Sequence, residues 1–400
     1  MTNALHPDAT DQPHCWSGVL AMAMAAFALV ASEFMPVSLL TPIANDLQVS
    51  QGQAGQGISV SGVFALITSL LIPTIAARVS RKPLLLFLTL LMIVSGTVVA
   101  LAPNYAVFMV GRAFIGIAIG GFWSLSAATA MRLVPENQVP RALAIVNGGN
   151  ALATVIAAPL GSYLGSLVGW RGAFFCVVPV AVIAALWLLR SLPPLANNAS
   201  KTSGNVFSLM LRPPIAWGMV AVSLFFMGQF MLFTYLRPFL ETVPQVTPVG
   251  LSLMLLTLGV AGLVGTFTIE TFLKNGLAHT LVVIPLIMAG LALALVTFGE
   301  SSSVTAVLLG CWGLVATAAP VAWWTWLARS LPDEAEAGGG MMVAIVQLAI
   351  ALGATLGGVV FDLHGSKTTF EFSALTLVVG SACALMASQR MTRRRAVVVE

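Results

Sequence analysis

Apolar residues run along this chain in blocks of about 20, separated by short stretches that hold Gly, Pro, Asn, Ser and most of the charge. Reading the blocks against their breakers predicts twelve membrane-spanning helices. They cover roughly 17–41, 53–77, 84–102, 105–130, 142–165, 172–190, 215–237, 249–272, 280–298, 304–328, 340–362 and 369–389. Blocks of this length suit helices and not the shorter alternation of a membrane β-barrel. The longest polar interval, Ser191–Pro214, contains SLPPLANNASKTSGN and divides the spans six and six.

The distribution of basic residues tests this count, because alternate loops must face opposite sides of the membrane. One side collects Arg78, Arg81, Lys82, Arg132, Arg141, Arg190, Lys201, Arg212, Lys274, Arg329, Arg390, Arg393, Arg394 and Arg395; the other has only Arg171, Arg237 and Lys367. The positive-inside rule then predicts that both termini are cytoplasmic. The expected organisation is a cytoplasmic tail 1–16, a six-helix half 17–190, a cytoplasmic linker 191–214, a second half 215–389 and a cytoplasmic tail 390–400. An internal repeat agrees: Arg132-Leu-Val-Pro135-Glu136 recurs as Arg329-Ser-Leu-Pro332-Asp333, and Gly161 as Gly358, at a common offset of 197 residues.

Composition narrows the class further. Hydrophobic residues make up 58% of the 400 and charged ones only 8%, against about 25% charged in soluble domains. The chain therefore reads as an all-α polytopic membrane protein. A net charge of +4 comes from the loop cations that orient the helices, so no nucleic-acid partner is expected. The first 15 residues hold no Lys or Arg and lead into a span too long for a signal peptide, so no cleavage is expected. Cys15, Cys176, Cys311 and Cys383 are widely spaced, and His6, His14, His279 and His364 form no group of metal-ligand spacing. With no phosphate-binding G-x-x-x-x-G-K-[ST] loop either, the chain offers no enzyme or cofactor signature. An ion gradient is the expected driving force, lipid the expected surroundings, and a monomer the expected state.

One charge breaks the apolar pattern of the first span. Glu33, in ASEFMPVSLLTP (31–42), is the only acid in the interior of any predicted span, and a charge at the bilayer centre costs at least about 2.5–3.5 kcal/mol. Arg112 lies inside span four at a similar distance from the outer end, so the two are expected to be partners, directly or through water. Glu33 then carries protons while Arg112 sets when it does so; the alternative is a permanent ion pair that fixes span one against span four. Pro36 and Pro42 would let the outer part of span one bend.

On span four, Arg112, Gly116, Gly120, Trp123 and Ala127 share a helix face suited to close packing. Asn147, Asn150 and Thr154 make a polar stripe on span five. Span seven aligns Phe226, Gln229, Phe230 and Phe233, followed by Tyr235 and Arg237; span ten supplies Trp323, Trp324 and Trp326, and span eleven Gln347. Helix packing and substrate binding both account for such faces.

Several motifs resemble those of the major facilitator superfamily. Arg78-Val-Ser-Arg81-Lys82 is similar to the end of its loop signature, with Pro73, Ala77 and Ser80 departing from the usual residues, and Arg112-Ala-Phe-Ile-Gly116 is similar to its span-four R-x-x-x-G. EFMPVSLLTPIANDL (33–47), GGFWSLSAATAMRLVP (120–135), APLGSYLG (158–165), GWR (169–171) and FTYLRP (233–238) are most similar to the drug:proton antiporter-1 family. WTWLARSL (324–331) and VAIVQLA (343–349) extend the resemblance to its purine ribonucleoside exporters, with sugar exporters next.

The resemblance implies proton-coupled export by alternating access from the bacterial inner membrane, with inosine and guanosine as first-choice substrates. Drug or sugar export, or import by proton symport, are the alternatives. It also implies proton coupling at Glu33 and Arg112. Conformational roles fall to Arg78, Arg81, Lys82, Gly116, Pro159 and Gly161. Trp123, Asn147, Asn150, Gln229, Phe230, Phe233, Tyr235, Trp324 and Gln347 become the candidate substrate contacts, with π-faces for a base and amides for its edge and ribose.

Overall fold

The structure, a computed structural model, describes residues 15–194, 212–331 and 335–399. Much of the linker, the first fourteen residues, and Pro332 and Asp333 of the repeated motif lie outside the described residues. What is described is helical. The elements are α1 (Trp16–Leu47), α2 (Gln51–Ala76), α3 (Arg81–Ala100), α4 (Tyr105–Ala130), α5 (Val139–Phe175), α6 (Val177–Ser191) and α7 (Pro213–Phe233). They continue as α8 (Leu236–Thr242), α9 (Pro248–Phe298), α10 (Ser302–Ala316), α11 (Ala319–Ser330) and α12 (Ala335–Val399).

The three longest helices, α5, α9 and α12, are each bent at a glycine that turns the chain back. Gly169 in α5 has φ 74°, Gly365 in α12 has φ 81° and Gly276 in α9 has φ −135°. The first two occupy the left-handed region, where a side chain is disfavoured. Gly169-Trp-Arg171 and Gly365-Ser-Lys367 sit at equivalent turns, one residue short of the repeat offset, so the sequence repeat extends to the turn geometry.

Predicted spans seven and ten are not single helices. Span seven breaks at Thr234 and Tyr235, between α7 and α8, and span ten breaks at Thr317 and Ala318, between α10 and α11. Pro238 and Pro320 lie just beyond the two breaks, where proline's missing N–H is least costly. Span one extends to Leu47 rather than residue 41, and α12 continues past residue 389 to Val399.

Side chains secure several helix starts. Asn104 Oδ1 accepts from the Val107 N–H at 3.0 Å, and Thr247 Oγ1 from the Gly250 N–H at 3.2 Å. Ser50 and Gln53 form a reciprocal capping box at the start of α2. The buried apolar core is contributed by both sets of helices, whereas Phe267, Phe272, Leu101 and Leu363 stand exposed. Large exposed apolar side chains distributed around helices this long are what a lipid surround covers.

The helices before and after the linker meet through hydrogen bonds stacked from the end remote from the termini toward the middle. Asp362 accepts from Ser50 Oγ at 2.5 Å and from the Gly52 N–H at 2.9 Å. Deeper, Ser59 donates to the Ala351 carbonyl at 3.0 Å, and the single Thr355 hydroxyl proton is shared between Gln56 Oε1 at 3.1 Å and Ser59 Oγ at 2.8 Å. This ladder closes the remote end.

Candidate functional site

In an α-helix each N–H donates to the carbonyl four residues back, so an internal proline leaves that carbonyl without its donor. Pro36 and Pro42 both lie inside α1, which strands the carbonyls of Ser32 and Ser38 in an apolar interior. Arginines satisfy both. Arg112 Nη1 donates to the Ser32 carbonyl at 2.9 Å, and Arg237 Nη1 donates to the Ser38 carbonyl.

Arg112 is fully buried, and its other two side-chain nitrogens also donate. Nε donates to the Gly57 carbonyl at 3.0 Å, and Nη2 donates to the Glu33 carbonyl at 3.3 Å and to Ser61 Oγ at 3.1 Å. The expected partnership with Glu33 is therefore made to its backbone. Three carbonyl dipoles and one hydroxyl solvate the cation, which also lies within electrostatic reach of the Glu33 carboxyl. Glycines bring the scaffold that close: a Cβ on Gly116 would overlap the Ser61 backbone and one on Gly120 the Ala65 carbonyl.

Glu33 is 7% exposed and faces the other set of helices, where its Oε1 accepts from Gln347 Nε2 at 3.5 Å. The next residue, Phe34, begins an aromatic cluster across the same interface. Its ring stacks on Phe230 at 5.9 Å and meets Phe233 edge-on at 6.2 Å. These three rings line a cavity of about 60 Å³ with Thr154, Gln229, Trp312 and Thr317. That is room for a few waters, so an organic solute requires the helices to part. Gln229 Oε1 and Gln347 Oε1 are buried with no hydrogen-bond partner among the described residues, which leaves two acceptors available to a solute or water.

Of the residues singled out in the sequence, Gln229, Phe230, Phe233, Gln347, Glu33 and Arg112 come together here. Trp123 is half-buried, edge-on to Phe122 and packed in a small cluster with Phe34. Asn150 and Thr154 follow one face of α5 toward the cavity, whereas Asn147 is exposed and donates to its own helix at Leu143. Tyr235 stands apart: it is fully buried, donates to the Ala354 carbonyl at 2.7 Å and stacks on Phe361 at 5.1 Å, within the remote-end closure. Trp324 is also apart, 46% exposed on α11.

Among the expected conformational residues, Arg78 and Arg81 lie at the α2–α3 turn, and Lys82 Nζ donates to the Leu192 carbonyl at 2.5 Å just beyond α6. Pro159 is buried in α5, and a Cβ on Gly161 would press on Ser38 Oγ at 2.7 Å, so α5 approaches α1 closely beside the stranded carbonyl.

Phe34, Trp312 and Thr317 escaped the sequence reading, as did the carbonyl-binding use of both arginines. Counting four residues back from Pro36 and Pro42 would have identified Ser32 and Ser38. No comparable rule points to Trp312, which enters the cavity by tertiary packing from α10.

Three comparisons bear on this geometry. The sequence profile of the Major Facilitator Superfamily matches residues 22–354. A Pseudomonas aeruginosa protein named transcription regulatory protein OpdE is 58% identical over 95% of both chains, and the purine ribonucleoside efflux pump NepI of Salmonella enteritidis is 40% identical over 94% of this chain and 95% of its own. Among solved structures, an inward-facing bacterial homolog of the human lysosomal transporter Spinster superposes with a TM-score of 0.77 at 15% identity, covering 95% of this chain and 98% of the other. A point mutant of the nucleoside transporter NupG superposes with a TM-score of 0.76 at 13% identity, covering 92% and 98%. At these identities the structural matches speak for the fold alone.

Proposed function

The chain belongs to the Major Facilitator Superfamily, and from that premise we propose that this transporter exports purine ribonucleosides in exchange for protons by alternating access. The observation that carries the reading is the placement of Glu33, a buried acid at the junction of the two sets of helices. It lies beside Gln347 and one residue from the aromatic cavity. A carboxylate crossing between states in low dielectric is costly, whereas a protonated carboxyl crosses neutral. Glu33 therefore couples the switch to its proton, and Arg112, balanced by backbone carbonyls, supports α1 in both protonation states.

The cavity suits a planar, amide-recognising solute. Phe34, Phe230 and Phe233 offer faces for a base, while Gln229 on the cavity wall and Gln347 nearby, beside Glu33, present unpaired acceptors for its N–H groups and the ribose hydroxyls. The pump NepI supports nucleosides over other solutes of that shape. The two six-helix halves turn about this site, with both termini on the cytoplasmic face. A membrane potential of 100 mV contributes about 2.3 kcal/mol per charge carried inward.

The 58% relative named a transcription regulatory protein favours a second reading of the same activity. Export that lowers an intracellular effector changes transcription without contact with DNA. Reconstituted protein distinguishes the core proposal directly: labelled inosine should exchange in counterflow and move against an imposed pH gradient. Exchange of a sugar or a cationic dye in place of inosine would overturn the nucleoside assignment, and indifference to the pH gradient would overturn proton coupling.

A further inference from the structure

Arg237 occupies a place that neither the carboxyl site nor the cavity explains. It lies at the start of α8, immediately after the break at Thr234 and Tyr235, and is only 8% exposed. Its Nε donates to Glu241 Oε1 at 2.7 Å, one turn along the same short helix. That pairing leaves the rest of the guanidinium free to reach across to α1, where Nη1 donates to the Ser38 carbonyl. Ser38 is fully buried, and Pro42 is the reason its carbonyl has no helix donor.

We propose that Arg237 is the latch holding the remote end of the transporter closed, with the proline-stranded Ser38 carbonyl as its keeper. This rests on the alternating-access reading above. Most contacts across the interface can exchange for water or for partners within their own helices when the two sets of helices part. The Ser38 carbonyl lacks the ordinary replacement inside α1, because residue 42 is proline and has no N–H to return to it. Separating it from Arg237 leaves the carbonyl to water alone and the cation short of a partner, so the contact biases the equilibrium toward the remote-closed state. The break in span seven has a purpose in this account. It turns α8 so that Arg237 projects toward α1, and Glu241 fixes the guanidinium by occupying its other edge.

The test uses full-length protein in nanodiscs, with Cys15, Cys176, Cys311 and Cys383 replaced and spin labels placed in pairs across the interface. One pair sits at the remote end (Asn104 with Ser302) and the other at the terminal end (Arg78 with Lys274). Arg237→Gln should lengthen the remote-end distance and shorten the terminal-end distance, with the remote-open population rising about tenfold, the worth of one hydrogen bond to a charged donor. Pro42→Ala supplies the missing N–H without touching the arginine and should shift both distances the same way to a smaller extent. Arg237→Lys, which keeps a donor, should lie close to the parent.

If both variants leave the two distributions at parental values, or if only the remote-end distance moves, the latch is refuted. The parent in acidic and alkaline buffer serves as the separate control. Reciprocal movement of its two pairs, with no response in the variants, overturns the latch while alternating access stands. Immobility of the parent and of every variant overturns both.

Discussion

If Pro36 creates the need that Arg112 meets, removing the proline should make the arginine less important. Arg112→Met deletes four hydrogen bonds, to the carbonyls of Ser32, Glu33 and Gly57 and to Ser61 Oγ. At the membrane-protein average of about 0.6 kcal/mol per bond, these account for about 2 kcal/mol. The Ser32 carbonyl, buried without a helix donor, adds about 1–3 kcal/mol of its own. A loss of about 3–5 kcal/mol is therefore expected. In a Pro36→Ala background residue 36 again donates to Ser32, and the penalty of Arg112→Met should fall by about 1–2 kcal/mol. Reversible unfolding in mixed micelles, measured for the parent, both single variants and the double variant, gives the coupling energy. Strict additivity of the two substitutions would show that Arg112 supports α1 for some reason other than the proline.

Three further outcomes follow from the same geometry. Glu33→Gln should preserve inosine counterflow and abolish flux driven by a pH gradient, and gradient-driven flux at the parental rate would remove Glu33 from the coupling mechanism. Gln229→Leu takes away the orphan acceptor on the cavity wall while leaving Phe230 and Phe233 in place. Inosine affinity should weaken by about tenfold, near the 1–1.5 kcal/mol of one hydrogen bond, as read by titration calorimetry. Gly120→Ala places a methyl group on the Ala65 carbonyl, so α4 and α2 must separate, and the thermal midpoint should drop by the equivalent of about 1–3 kcal/mol. An unchanged midpoint would mean that the crossing is looser than the structure has it.

Much of this protein follows from local properties of the chain. Run length and breakers locate the helical spans because a bilayer demands continuous internal hydrogen bonding over a set thickness. Glu33 and Arg112 were conspicuous for the same reason, since an ionisable group costs so much among lipid tails that its presence asks for an explanation. Even the two stranded carbonyls are a local matter, determined by proline at positions 36 and 42.

Which donors reach those carbonyls is not local. Arg112 comes from α4 and Arg237 from beyond the linker, and only the packed bundle brings either to α1. The same holds for the cavity. Phe34, Gln229 and Trp312 lie on three helices whose faces are all apolar enough to meet lipid or one another, so their shared wall is settled by helix rotation and crossing rather than by sequence pattern. The chain alone thus determined where charges and missing donors would lie in the membrane. The tertiary structure decided how they were matched, because a buried polar atom must find its partner across space and not along the sequence.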